Sequence, residues 1–270
     1  MIKILGLMTC YNRKEKTVRA LHNLIKGNSK VEFSFIVADD ASTDGTVQAL
    51  KEFDSVTVLS GDGSLFYSGG MRMAIAQAKK LKEEFDYCLL FNDDVEFFDS
   101  AIEELCLKDN SVIWVGPTSD EAGQLSYGGV VKTSGWRPKT EIIMAKHPEG
   151  QMCDTFNANC VLIPWGIFVN LDNIDSVFTH SMGDFDYGFA AGKMGYQIKV
   201  SDKFVGVCPD NPVAVTWRNT ELSMKERLRR KESPKGLPGK EWFHYLNKNY
   251  NLITALIYSA IPYIRILIKK

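Results

Sequence analysis

The chain has 270 residues, 45% hydrophobic and 24% charged, enough apolar material for the core of one α/β domain or two small ones. A formal net charge of -1 excludes a global polycation, so no nucleic-acid partner is expected. The six cysteines (Cys10, Cys88, Cys106, Cys153, Cys160 and Cys208) form no CxxC pair and are read as reduced and buried, not as a disulfide framework or metal cluster.

Residues 2–7 read as a first strand and not as a signal peptide, because nothing long and apolar follows, and cytoplasm is the expected location. Tyr11-Asn12-Arg13 is a turn with Asn12 a candidate helix cap, ahead of a helical stripe of Val18, Leu21, Leu24 and Ile25. Residues 33–37 form a second strand ending at Asp39-Asp40, and Ser42 or Thr43 can cap a helix carrying Val47, Leu50 and Phe53. A third strand over 56–59 leads into a glycine-rich stretch, 61–70, and a helix from about 71 to 82. Residues 87–91 are a fourth strand. This alternation predicts a mostly parallel central sheet with helices on both faces, with ligands at the C-terminal ends of the strands. The second half reads as a more mixed sheet, with short strands over 112–115, 124–131, 141–145 and 158–163, a helix over 184–194 and a strand over 196–200.

Each predicted strand of the first half runs into a polar or glycine-rich cluster. The apolar run 87–91 delivers Asn92, Asp93 and Asp94; adjacent carboxylates at a strand end repel and lose hydration, so they call for a cation. A hard divalent ion fits and would hold an anionic diphosphate; a plain polar turn is the alternative. Asp39 and Asp40 exceed what capping needs, and Asp40 is the better candidate for nucleotide contact. The 61–70 stretch lacks the dinucleotide fingerprint and the P-loop lysine. Gly69-Gly70, opening a helix, can bring backbone N–H groups close to a ligand. Arg72 in that first turn is unfavourable for the helix dipole unless an anion compensates, either a substrate phosphate or a protein carboxylate.

Taken in order, these segments resemble the family 2 glycosyltransferases, inverting nucleotide-sugar enzymes with the GT-A fold. Thr9-Cys10-Tyr11-Asn12-Arg13 is similar to the family's T-x-Y-N-R, and Asp39-Asp40-x-Ser42-x-Asp44-Gly45-Thr46 to its DD-x-S-x-D-G-T. Gly69-Gly70-Met71-Arg72 sits where the family has its G-G or A-R segment, and Asn92-Asp93-Asp94 takes the place of the metal-binding DxD. The match spans about residues 1–205. The resemblance implies Asp94 as ligand to Mn²⁺ or Mg²⁺, Asp93 near ribose or sugar, and Asp40 at the nucleobase, with Tyr11, Asn12, Arg13, Asp39, Gly69, Gly70, Arg72 and Asn92 completing the donor side. In the second half Gly183-Asp184-Phe185-Asp186 resembles the E-D-x-D segment. Asp184 matches the base, Gly183 replaces the usual glutamate, and Ala191 or its neighbour stands where an arginine is common. An acceptor hydroxyl would lose its proton to Asp184 as it attacks, and a single displacement inverts the anomeric centre. His180, four residues earlier, and Asp186 are candidates for the acceptor side.

The resemblance thus implies a catalytic domain over 1–215, with a nucleotide-sugar half (1–100) and an acceptor half (101–215), and an extension over 216–270. Trp217 either stacks on an acceptor sugar or belongs to the core. Residues 218–240 hold eight Lys or Arg and three Glu, and the run 225–231 can meet anionic lipid. In residues 252–268 only Arg265 is charged and Pro262 interrupts. Seventeen residues at 1.5 Å each give about 26 Å, short of a comfortable span, so an interfacial helix is expected, or one packed on the core or on a second subunit in a homodimer. The tail resembles that of capsule and O-antigen members of the family, which implies a lipid-linked saccharide acceptor at the inner face of the membrane. The rival readings are a sugar-phosphate nucleotidyltransferase and a non-catalytic sugar-binding protein on a degenerate transferase fold.

Overall fold

The computed structural model describes residues 1–209 and 216–268. Residues 210–215 of the 209–218 stretch, and Lys269 and Lys270, lie outside the described residues. The first half alternates β1 (Ile2–Cys10), α1 (Lys14–Gly27), β2 (Val31–Asp39), α2 (Thr46–Leu50), β3 (Val56–Ser60), α3 (Phe66–Ala78) and β4 (Tyr87–Phe91). Shorter pieces follow: β5 (Glu96–Phe97), α4 (Ala101–Cys106), β6 (Ile113–Val115), β7 (Thr118–Ser119), β8 (Leu125–Tyr127), β9 (Gly129–Lys132), β10 (Thr140–Ile143), β11 (Gln151–Met152) and β12 (Thr155–Phe156). Then come β13 (Cys160–Pro164), α5 (Trp165–Asn170), α6 (Gly183–Lys193), β14 (Ile198–Val200) and β15 (Gly206–Val207). The chain ends in α7 (Met224–Glu232), α8 (Gly239–Asn249) and α9 (Leu252–Ile268).

The main sheet has the order β11-β14-β6-β13-β4-β1-β2-β3. Its β4-β1-β2-β3 half is parallel. β13 runs antiparallel between β4 and β6, while β14 is parallel to β6, which gives the mixed second half expected from sequence. The central strands are buried on both faces, and β4 and β13 carry no exposed residue, as near-continuous apolar runs require. Alternate side chains point to opposite faces. Leu5, Leu7, Ile36, Cys88 and Leu90 pack with Met71 and Ile75 of α3, Phe168 of α5 and Tyr187 of α6. Ile4, Met8, Phe35, Leu89 and Phe91 pack with Leu21 and Leu24 of α1, Leu50 of α2 and Ile102 of α4. All six cysteines are free thiols, and five are buried.

Several boundaries differ from the sequence reading. α3 starts at Phe66, not near 71, because a carboxylate from another loop, Asp40, accepts hydrogen bonds from the N–H groups of Leu65 and Phe66 at its start. α2 stops at Leu50 and leaves Phe53 outside. The six-residue α4 and α5 are too short to show a periodicity.

In the extension, α8 and α9 close over Phe178 and Phe189 through Tyr245, Leu246 and Ala255. α9 turns Thr254, Ala255, Pro262 and Ile266 inward. Its Leu252, Ile253, Leu256, Ile257, Ile264, Leu267 and Ile268 are exposed. No helix among the described residues is long and apolar enough to cross a membrane.

Candidate active site

The parallel strands end along one edge, where the loops after β1 and β2 are knitted together. Asn12 N donates to Ser42 Oγ at 2.8 Å, Thr43 N to Asn12 Oδ1 at 2.7 Å, and Lys14 N to Asp44 Oδ2 at 2.9 Å. Asn12 and Ser42 therefore tie two loops instead of capping helices; Arg13 holds the cap position of α1 and Gly45 that of α2, neither with a side-chain bond. Tyr11, at the rim, is exposed.

Asp39 and Asp40 are both buried. Asp39 accepts from Ser42 N at 2.9 Å and from the Cys10 thiol at 3.5 Å. Asp40 Oδ1 accepts from Gly63 N (2.8 Å) and Leu65 N (3.2 Å), and its Oδ2 from Phe66 N (2.9 Å). Three backbone donors meet this carboxylate, so Asp40 shapes the 61–66 loop and the start of α3. Gly69 and Gly70 do not open the helix as expected. Both lie inside α3, and Gly69 N donates to Leu65 O within the helix, so neither offers a free N–H nest. A Cβ on Gly70 would sit 2.1 Å from Thr9 Oγ1, so the glycine is there to let α3 lie against β1. Arg72 binds no carboxylate at the edge. It donates to the carbonyl oxygens of Asp175 (3.0 Å) and Phe178 (3.1 Å) and so anchors the loop before α6.

Asp93 and Asp94 share one guanidinium: Arg13 Nη1 lies 2.8 Å from Asp93 Oδ1 and 2.9 Å from Asp94 Oδ2. Asp93 is buried and Asp94 half-buried. Burial pushes the Asp93 carboxyl above its usual range, against the pull of Arg13 and with the push of Asp94. Burial opposes the charge of Arg13, but the two carboxylates outweigh it and raise its pKa.

Asp184, in the first turn of α6, has no cation at hydrogen-bond range among the described residues. Its carboxylate accepts from Phe185 N (2.9 Å) and Ala158 N (3.3 Å), and burial lifts its pKa to about 6. The neighbouring Asn159 carbonyl accepts from Asn92 N at 3.4 Å, so the end of β4 and the start of α6 meet across Ala158-Asn159. Gly183 has a steric reason to replace a glutamate: a Cβ there would lie 2.3 Å from Ser68 Oγ. His180 joins this wall. Its Nδ1 accepts from Tyr67 N at 3.4 Å, and burial, then Lys235 and Arg13, lower its pKa to about 4, so the ring is neutral at pH 7.

Two acceptor-side candidates have other partners, and Trp217 follows the core alternative. Asp186, two residues past Asp184 and so on another face of the helix, is buried and binds Lys248 Nζ (2.7 Å) and Asn249 Nδ2 (2.8 Å), anchoring α8. Trp217 is buried, with its carbonyl accepting from Arg227 Nε, and offers no open face for a sugar.

Sequence reasoning missed Thr17, Tyr67 and Cys208. Thr17 is fully buried and donates to Asp93 Oδ2 at 3.4 Å; a threonine one turn after Arg13 on an otherwise apolar stripe was the available signal. Tyr67 is pushed well above its usual pKa by burial and by nearby Asp184, and nothing in the sequence marks it. Cys208 donates its thiol to Asp94 Oδ1 at 3.6 Å.

Among the described residues no group of three or more His, Cys, Asp or Glu could hold a metal ion. A dedicated protein cage is therefore not built here. One accessible carboxylate, Asp94, does fit an ion of the kind that takes most of its ligands from substrate phosphates and water, with Arg13 sharing or yielding one oxygen.

Residues 7–118 match the family model for glycosyl transferase family 2. No curated protein sequence matches the chain. Among solved structures, a mannosyltransferase from Pyrobaculum calidifontis in complex with GDP-Man and Mn²⁺ is similar at a TM-score of 0.55 and 14% identity, over 98% of this chain and 72% of that one. Residues 1–349 of S. aureus TarS are similar at 0.55 and 16%, over 92% and 71%. GalNAc-T7 with UDP, GalNAc and Mn²⁺ is similar at 0.58 and 13%, over 97% and 57%. The chain thus has the GT-A fold of these solved structures, and its residues 7–118 match the model of glycosyl transferase family 2.

Proposed function

We propose that the chain moves a sugar from a nucleoside-diphosphate sugar to an acceptor hydroxyl with inversion. The observation that carries this reading is Asp184, a carboxylate without a cationic partner whose pKa of about 6 suits a general base near neutral pH, one backbone step from the Asp93-Asp94 end of β4. The similar structures that hold GDP-Man or UDP with Mn²⁺ support the choice of donor class.

Asp184 takes the proton of the attacking hydroxyl, and neutral His180 lines the acceptor side. Tyr11 offers an exposed ring at the donor rim. Asn12, Asp39 and Asn92 hold the loops that shape it, and Asp93 keeps Arg13 in place. Arg13 stands where a diphosphate would lie and can follow its charge. Asp94 would hold a Mn²⁺ or Mg²⁺ ion, which supplies positive charge to offset the leaving diphosphate. We divide the chain into a catalytic domain, 1–215, and an extension, 216–270.

The acceptor is read as a lipid-linked saccharide used for a cell-surface polysaccharide. The exposed apolar face of α9 supports this by giving the chain a surface for the inner face of the membrane. Charge contributes less than the sequence suggested: in α7, Arg227 and Lys231 are buried, and Arg229 and Arg230 pair with Glu226.

The test is calorimetry with a panel of UDP-, dTDP- and GDP-sugars, with Mn²⁺ and then with EDTA. Metal-dependent binding of one donor is expected, and the product anomer, read by NMR, should be inverted. A retained anomer would overturn the single-displacement mechanism, and no donor binding would overturn the transferase reading.

A further inference from the structure

We propose that a crevice between the β9–β10 hairpin and α8 seats the apolar chain of the acceptor, an assignment that rests on the transferase reading above. Thr140 stands on the hairpin side, Trp242, Tyr245 and Tyr250 on the extension side, and Met182 and Phe185 flank Asp184 at the base. The space is about 110 Å³. That is about four water volumes, room for a short stretch of chain and not for a saccharide.

Three observations point to this occupant. The walls are almost entirely carbon, with Trp242 and Tyr245 stacked at 5.5 Å, so water in the crevice finds few partners. Both walls are bonded to α9, the helix with the exposed apolar face. Trp242 Nε1 donates to Tyr258 O at 3.2 Å, and Thr254 Oγ1 donates to Trp136 O at the tip of the hairpin at 3.0 Å. Exposed Trp136 packs edge-on against Tyr258 at 6.1 Å, which adds an aromatic anchor beside α9. The crevice thus joins elements bonded to α9 with Met182 and Phe185, the residues that bracket Asp184 in the chain. Finally, the Tyr250 hydroxyl is buried at this wall with no hydrogen-bond partner among the described residues, a cost that a bound polar head would remove. An apolar chain with a polar head satisfies the carbon walls and that hydroxyl together. A sugar on such a head would face Asp184.

The test uses the full chain with methyl-¹³C methionine and titrates farnesyl phosphate below its micelle concentration, with inorganic phosphate and laurate in parallel. The Met182 methyl signal, assigned with Met182→Leu, is expected to shift saturably with farnesyl phosphate and not with inorganic phosphate. Met224, exposed on α7, is the control and should not move. Thr140→Trp, an exposed position at the mouth, should raise the dissociation constant at least tenfold. No saturable Met182 shift in the wild type, or the same affinity in Thr140→Trp, overturns the proposal. Tighter binding of laurate than of farnesyl phosphate assigns the crevice to a bilayer acyl chain and also overturns it. Donor binding, measured separately on the wild type, reports on the transferase reading alone, so the two failures are told apart.

Discussion

The strand ends of the parallel sheet and the start of α6 both carry paired carboxylates, and they treat them in opposite ways. At the first, Asp39 and Asp40 are occupied by backbone and thiol donors, and Asp93 and Asp94 share Arg13. At the second, Asp186 is locked to Lys248 and Asn249 while Asp184 receives two backbone N–H groups and no cation. Burial lifts Asp184 to about 6 against its two backbone donors, which poises it to exchange a proton near neutrality. The proposed mechanism therefore places its base at the less satisfied of the two places.

The largest effect should come from Asp184→Asn, which keeps shape and removes the base. We expect kcat to fall by about 10²- to 10⁴-fold with donor affinity preserved. Wild-type turnover in this variant would remove the contrast altogether. Asp94→Asn should instead weaken Mn²⁺-dependent donor binding, by about 10²- to 10³-fold given several kcal/mol of ion-mediated charge stabilisation. Equal donor affinity with and without EDTA in the wild type would show that Asp94 holds no ion.

The pH profile sharpens the comparison. With the Asp184 pKa at about 6 in the folded chain, activity should fall about tenfold for each unit below that value. Its folded pKa lies above the unfolded one, so the folded state carries a proton that the unfolded state lacks between the ordinary aspartate range and about 6. Stability contributed by this group is therefore present at low pH and lost as pH rises through about 6. Denaturant melts of wild type and Asp184→Asn across pH 4–7 should differ in that slope, and identical slopes would contradict the raised pKa.

Lys248→Met tests the opposite pole. It leaves buried Asp186 with Asn249 alone and also removes a partner from Asp175, whose carboxyl burial pushes up but which bonds from Lys248, Val177 N and His244 hold below its usual range. The loss should be about 2–3 kcal/mol, below the cost for a wholly buried pair because the Lys248 side chain is a third exposed. A melting temperature equal to wild type would show that the pair does not anchor α8.

The parallel half of the sheet was legible because buried strands, amphipathic helices and strand-end polar clusters each leave a period or an order in the sequence. The family resemblance likewise named Arg13 and Asp94, which form an ion pair, and Asp184, which burial lifts. What it did not give is which partner each side chain takes. Asp40 and the first turn of α3, Arg72 and the Asp175–Phe178 carbonyls, and Asp186 and Lys248 are contacts between segments 26 to 106 positions apart in the chain. Such pairings are set by tertiary packing, and no local spacing encodes them. Trp217 shows the same limit: its burial depends on how α7 closes over it.

The smallest effect on chemistry, and the largest on location, should come from α9. Ile253 and Leu256 are 70% and 60% exposed. Each large aliphatic side chain contributes about 1.5–3 kcal/mol when fully withdrawn from water, so partial insertion of two supports a change of about ten- to a hundredfold in partitioning. Ile253→Gln with Leu256→Gln should therefore lower co-sedimentation with phosphatidylcholine–phosphatidylglycerol vesicles while donor binding persists, because both side chains are exposed and neither is among the strand-end residues. Since the arginines of α7 are buried or paired, raising salt should weaken vesicle binding only slightly. A steep salt dependence would move the attraction from the apolar face to charge. Absence of vesicle binding by the wild type, together with a concentration-dependent dimer that the double substitution breaks, would assign the face to a second copy of the chain. In that case the carbon surface would still be covered, as its extent requires, but by protein instead of lipid.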